Sequence, residues 1–129
     1  METYTNYDFY INTYKGNMPK SDFEKLVIGA SYEVRNNIFN RDIAKYKTEV
    51  QLATCSIADL LLKIEKLENK KEEVMSGSKL KSENVKDYSR TFENATISDI
   101  ETQISNQKHK IKEELRKYLL NTGLLYRGV

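Results

Sequence analysis

From residue 21 onward, apolar side chains recur every three or four positions in three separate stretches, and each recurrence predicts a helix. The first runs over about 21–40. Phe23, Leu26, Val27, Ala30, Val34 and Ile38 share one side of it, and Ser21-Asp22-Phe23-Glu24 after Pro19 reads as a capping box at its start. A second, thinner stripe of Ile28, Tyr32 and Phe39 falls on roughly the opposite face, where a monomeric three-helix domain has no use for it.

The second helix is predicted over about 48–73, opened by Thr48-Glu49-Val50-Gln51. Val50, Ala53, Thr54, Ile57, Leu60, Leu61, Ile64 and Leu67 make a wide stripe, broadened by Leu52, Cys55, Ala58 and Leu62. A helix apolar over so much of its circumference belongs at the centre of a core. Its last turns, "EKLENKKEEV", are charged and belong at a surface. The third helix is predicted over about 98–120. It begins at Ser98-Asp99-Ile100-Glu101, carries the stripe Ile97, Ile100, Ile104, Ile111, Leu115, Tyr118 and Leu119, and is stopped by Asn121-Thr122-Gly123.

Between and around these helices the pattern fails. Residues 75–95, with Gly77 and several serines, read as a long loop or a small hairpin, or as a disordered segment. Residues 1–20 read as an extended arm rich in aromatics, namely Tyr4, Tyr7, Phe9, Tyr10 and Tyr14. Residues 124–129 read as an apolar tail after the last helix. The expected fold is all-α, one three-helix domain over 1–129.

Composition agrees with a folded helical chain: 129 residues, 39% hydrophobic, 31% charged and a single proline. The most apolar stretch, Ala58 to Leu62, is interrupted by Asp59, so no membrane span is expected. The first ten residues lack the pattern of a secretory signal, and the lone Cys55 suits a reducing compartment; the expectation is a protein that folds in the cytoplasm. The net charge of +2 is evenly distributed: residues 41–75 carry seven basic and seven acidic side chains, and residues 96–129 carry six and four. That balance does not describe a domain that wraps nucleic acid by charge alone.

Chemistry is sparse. The only histidine, His109, sits among charges, Cys55 lies beside an apolar stripe, and the five glycines are isolated from one another. No triad, zinc spacing or phosphate loop can be built, so no enzyme, cofactor or metal is expected. Lys108, Lys112 and Arg116 recur every four residues as a ridge on the third helix. Such a ridge is either a solvated face, partly compensated by Glu113 and Glu114, or a weak phosphate-facing surface that a ring of subunits would multiply. The apolar residues left over, on helix one, in the arm, at Tyr88 and Phe92 and in the tail, suit a subunit with neighbours on several sides. For Leu124 and Leu125 the alternative is a hydrophobic cap folded over the helix end.

Four segments carry a resemblance: "YDFYINTYKGNMPKSDFEKLVIGASYEVRNNIFNR", "VQLATCSIADLL", "SGSKLKSENVKDYSRTF" and "LLNTGLLYRGV". In this order, over essentially the whole chain, they are similar to the head-tail connector, or adaptor, proteins of tailed bacteriophages and prophages. Ser82, Glu83, Val85, Tyr88 and Ser89 match a family segment reading Ser-Glu-x-Val-Gly-x-Tyr-Ser, with Lys86 standing where glycine is frequent. The resemblance implies a ring, usually of twelve copies, docked beneath the portal protein in the virion neck. That ring would bind the next neck or tail-completion protein, continue the DNA channel, and assemble in the cytoplasm of the host bacterium. It makes Tyr10, Tyr14, Ile28, Tyr32, Phe39, Tyr88 and Phe92 candidates for contacts between subunits. Leu124, Leu125, Tyr126 and Arg127 become candidates for portal docking, and Lys108, Lys112 and Arg116 for transient contact with passing DNA. The competing reading from a different class is a small helical nucleic-acid-binding regulator that uses helix three.

Overall fold

The computed structural model describes residues 3–38, 43–80, 87–122 and 124–125, and only the backbone of 76–80 and 87–95. Among the described residues the fold is all-α, with no strand. Four α-helices occur: α1 (Tyr7–Phe9), α2 (Lys20–Ile38), α3 (Lys47–Leu80) and α4 (Asp87–Leu119). A π-helical turn, Tyr10–Tyr14, continues α1, and short 3-10 turns at Ala44–Tyr46 and Leu120–Thr122 precede α3 and follow α4.

The helices are longer than their hydrophobic pattern. α3 runs to Leu80 and α4 begins at Asp87, so most of the loop expected over 75–95 is helix; residues 81–86 lie outside the described part. Serine and glycine each weaken a helix by no more than about 1 kcal/mol, so a few of them do not end one. Two of the three capping boxes mark helix starts to within one residue, and the third falls inside a helix. Ser21 and Thr48 each follow the first residue of their helix, and Ser98 is in the middle of α4, where its carbonyl accepts a bond from the Thr102 hydroxyl at 3.0 Å. At α2 the chain turns in through Pro19, whose carbonyl accepts from Phe23 N–H at 3.0 Å.

Two compact units result. The first comprises residues 1–62 and 110–129, the second residues 63–109. In the first unit α3 is the central element: every residue from Ala53 to Ala58 is buried, more than one face of a helix can supply. Each neighbour takes a different side. Cys55 meets Thr5 of the arm, Ser56 donates to Glu114 of α4 at 2.8 Å, and Leu61 packs beside Gly29 of α2. The α2 stripe of Phe23, Val27, Ala30, Val34 and Ile38 is buried as the spacing demands, and so are Ile111, Leu115 and Leu119 of α4. In the second unit Ile64, Ile100 and Ile104 are buried and a Lys71–Glu101 ion pair at 2.9 Å joins α3 to α4.

The arm is folded, not extended. Asn6 caps α1 by accepting from Phe9 N–H at 2.9 Å, the π-helical turn follows, and Lys15 ends it in the left-handed conformation at φ 67°. No helix among the described residues is long and apolar enough to cross a membrane.

Candidate interaction surface

The arm gives the first unit a polar anchor inside an aromatic cluster. Tyr10 is fully buried, its ring 4.8 Å from Phe23 and 5.6 Å from Tyr14, both centroid to centroid. Its hydroxyl donates to Asp59 Oδ1 at 2.6 Å and accepts from Met18 N–H at 3.0 Å, while Tyr7 donates to the Met18 carbonyl at 2.8 Å. Burial first, then the bond to Asp59, raises the Tyr10 hydroxyl far above the ordinary tyrosine range. Tyr14 is raised as well, by burial and then by the Asp59 charge. Cys55, buried beside Thr5, is pushed up to about 11, chiefly by desolvation, and at neutral pH is an inert thiol rather than a nucleophile.

Tyr10 is therefore no part of an outward face of this unit: its side chain is buried among residues of its own unit. Tyr14 is half-buried against it. Ile28 and Tyr32 behave as their stripe predicts: they are 46% and 49% exposed on α2, one helical turn apart. The guanidinium of Arg35 lies 5.9 Å from the Tyr32 ring centroid and 5.7 Å from that of Tyr4, and Tyr4 N–H donates to Ser31 Oγ at 3.1 Å. Ile28, Tyr32, Arg35 and Tyr4 thus make a continuous outward face built from α2 and the arm. Arg35 escaped the sequence reading. The signal was present, since Tyr32 and Arg35 are three residues apart on one helix. Phe39 and the side chains of Tyr88 and Phe92 lie outside the described residues, although Tyr88 and Phe92 are on the first turns of α4.

The tail is partly a cap. Thr122 donates to the Leu119 carbonyl at 2.6 Å and accepts from Leu124 N–H at 3.0 Å, which turns the chain back and buries Leu124 to 4% exposure. Leu124 is thereby removed from the docking candidates and Leu125 is half-buried, whereas Tyr126 and Arg127 lie outside the described residues.

Lys108, Lys112 and Arg116 are each exposed. Lys108 belongs to the second unit, Lys112 and Arg116 to the first. Within the second unit Lys108 also borders a groove of about 640 Å3, lined in addition by Met75, Ile104, Glu68 and Glu72. Among the described residues no three His, Cys, Asp or Glu side chains converge as metal ligands do. Compared with protein-family models, curated proteins and solved structures, the chain matches none.

Proposed function

We propose that this chain is a non-enzymatic structural adaptor, a head-tail connector that assembles as a ring beneath the portal of a tailed phage or phage-like particle. The observation that carries the reading is the outward face of Ile28, Tyr32, Arg35 and Tyr4. Tyrosine, arginine and aliphatic side chains together are the composition of interface cores, and here Ile28 and Tyr32 stand in water on a small unit. The order of the four resembling segments along the chain supplies the rest. In this reading the face meets the adjacent subunit, residues 125–127 approach the portal, and Lys108, Lys112 and Arg116 offer passing DNA a weak, sequence-independent positive charge.

The test is electron microscopy of the protein mixed with the portal of its particle, comparing the natural chain with an Ile28→Glu, Tyr32→Ser double variant. Rings on the portal for the natural chain, lost in the variant, are expected. A variant that forms the same rings would remove the face from the interface, and no complex with the natural chain would defeat the adaptor reading. Tight DNA binding by the isolated protein with a steep salt dependence would favour the regulator instead.

A further inference from the structure

Residues 3–14 are attached to the rest of the first unit in an unusual way. They share no sheet or continuous helix with it. Among the described residues the arm packs its aromatic rings on Phe23, lays Tyr4 against the Arg35 guanidinium and is tied by individual bonds, among them Tyr4 N–H to Ser31 Oγ, Thr5 Oγ1 beside Cys55 Sγ at 3.8 Å, Tyr7 to the Met18 carbonyl, Tyr10 to both Asp59 and Met18, and Tyr14 to Asp59. A seat of this kind, made of Met18, α2 and α3, recognises the arm by its side chains and one backbone amide and is indifferent to which chain they come from. The connection between arm and α2 is a short hinge, Lys15 to Asn17. In it Lys15 holds a left-handed backbone that disfavours residues with a Cβ, and both Lys15 N–H and Gly16 N–H are bonded to the Tyr10 carbonyl.

We propose that the seat also takes the arm of a second copy, so that adjacent subunits exchange residues 3–14. Opening the hinge sends its two amides to water and lets Lys15 leave the left-handed region, while every bond between arm and seat is made again between chains. The difference between closed and exchanged forms is thus confined to the hinge and to the cost of association, the situation in which a short strained hinge favours swapping. Exchange would also carry the face of Tyr4, Arg35 and Tyr32 from one chain to two, since Tyr4 belongs to the arm and the other two to α2. The inference rests on the self-association in the adaptor reading, and its test distinguishes the two.

The test uses the contact of Thr5 with Cys55. In Thr5→Cys the two thiols face each other, and diamide, which takes up the two electrons and two protons, joins them as a disulfide. Oxidation of freshly refolded, dilute protein is expected to link residues 5 and 55 within one chain. Oxidation after incubation at high concentration is expected to link them between chains, seen as dimers and higher species on a non-reducing gel and assigned by peptide mapping. The natural chain, and Thr5→Cys combined with Cys55→Ser, are expected to give neither link. Bonds only within chains at every concentration, in protein that self-associates, would overturn the exchange and leave the adaptor reading standing. A second pair of variants leaves Thr5 and Cys55 untouched. Lys15→Gly relaxes the hinge and is expected to lower the exchanged fraction by about fivefold, and Lys15→Val, which resists the left-handed region, to raise it by a similar factor. Sedimentation profiles unchanged by both substitutions would equally overturn the proposal.

Discussion

The Tyr10 hydroxyl donates to the Asp59 carboxylate at 2.6 Å, joining the folded arm to the central helix across 49 positions of sequence. The distance is that of a charge-assisted bond. The same hydroxyl accepts from Met18 N–H, so that one oxygen joins the arm, the residue just after the hinge and α3.

Tyr10→Phe removes that oxygen and nothing else. It leaves the Met18 amide without its partner and takes one donor from Asp59, and is expected to destabilise the first unit by about 2 kcal/mol. Urea denaturation of the two proteins reads this as a lower midpoint with an unchanged slope. A midpoint equal to that of the natural chain would mean that water replaces the hydroxyl at no cost.

Much of the helical core was open to sequence reading, because a buried helix face writes itself as a local period: Phe23, Val27, Ala30, Val34 and Ile38 are buried as spaced. Non-local contacts leave no such record. Tyr10 reads as one more exposed aromatic until its partner, Asp59, is brought beside it from another helix. The turn at Leu124 depends on the Thr122 hydroxyl bonding in two directions, which the residues Asn121-Thr122-Gly123 suggest only as a stop. The capping box at Ser98 misled for a physical reason, whereas those at Ser21 and Thr48 mark the starts of α2 and α3 to within one residue. Serine or threonine followed three residues later by glutamate or glutamine also sits comfortably on the exposed face of a continuous helix, as around Ser98 in α4. The outward stripe of Ile28 and Tyr32 was legible because it has the same period as the core, displaced to the other side.

Stability is expected to fall on the alkaline side in a definite order. Cys55 rises from its ordinary 9.0 to about 11 on folding, and Tyr10 and Tyr14 rise from an ordinary 10.0. A group raised by folding contributes its full stabilisation below its unfolded value and loses it as pH climbs toward the folded one. The Cys55 contribution is therefore present below pH 9.0 and lost between there and about 11, and the tyrosine contributions begin to go above pH 10.0. Urea midpoints measured against pH for the natural chain, Cys55→Ala and Tyr10→Phe share the same lysines, so their differences isolate these groups. Parallel curves from neutral pH to the alkaline limit would refute the assignment.

Gly16 is needed for space rather than for backbone freedom. A Cβ built there runs into the ring and hydroxyl of Tyr10, which is buried and fixed by two hydrogen bonds and cannot move aside. Gly16→Ala is expected to destabilise the first unit by about 1–3 kcal/mol, as overpacking does. Combined with Tyr10→Leu, which removes the colliding ring, the added cost of the alanine should largely vanish, and a thermal-denaturation cycle over the four proteins measures that coupling. Additive losses would show that the collision is relieved elsewhere.

Leu124 and the residues after Leu125 call for separate changes, because burial makes Leu124 part of the core whatever the tail binds. Leu124→Ala is expected to destabilise the first unit by about 2–4 kcal/mol through the lost apolar contact and the cavity left behind. A chain ended after Gly123 loses Leu124 along with the rest of the tail, so it would confound a loss of folding with a loss of docking. A chain ended after Leu125 keeps the Thr122 turn and the Leu124 seat while removing Tyr126 and Arg127. In the adaptor reading that shorter chain unfolds at the natural temperature and docks on the portal more weakly, measured as the fraction of portals carrying rings. Docking at full strength would withdraw Tyr126 and Arg127 as the grip, and a fall in unfolding temperature to match Leu124→Ala would assign the last four residues to the core instead.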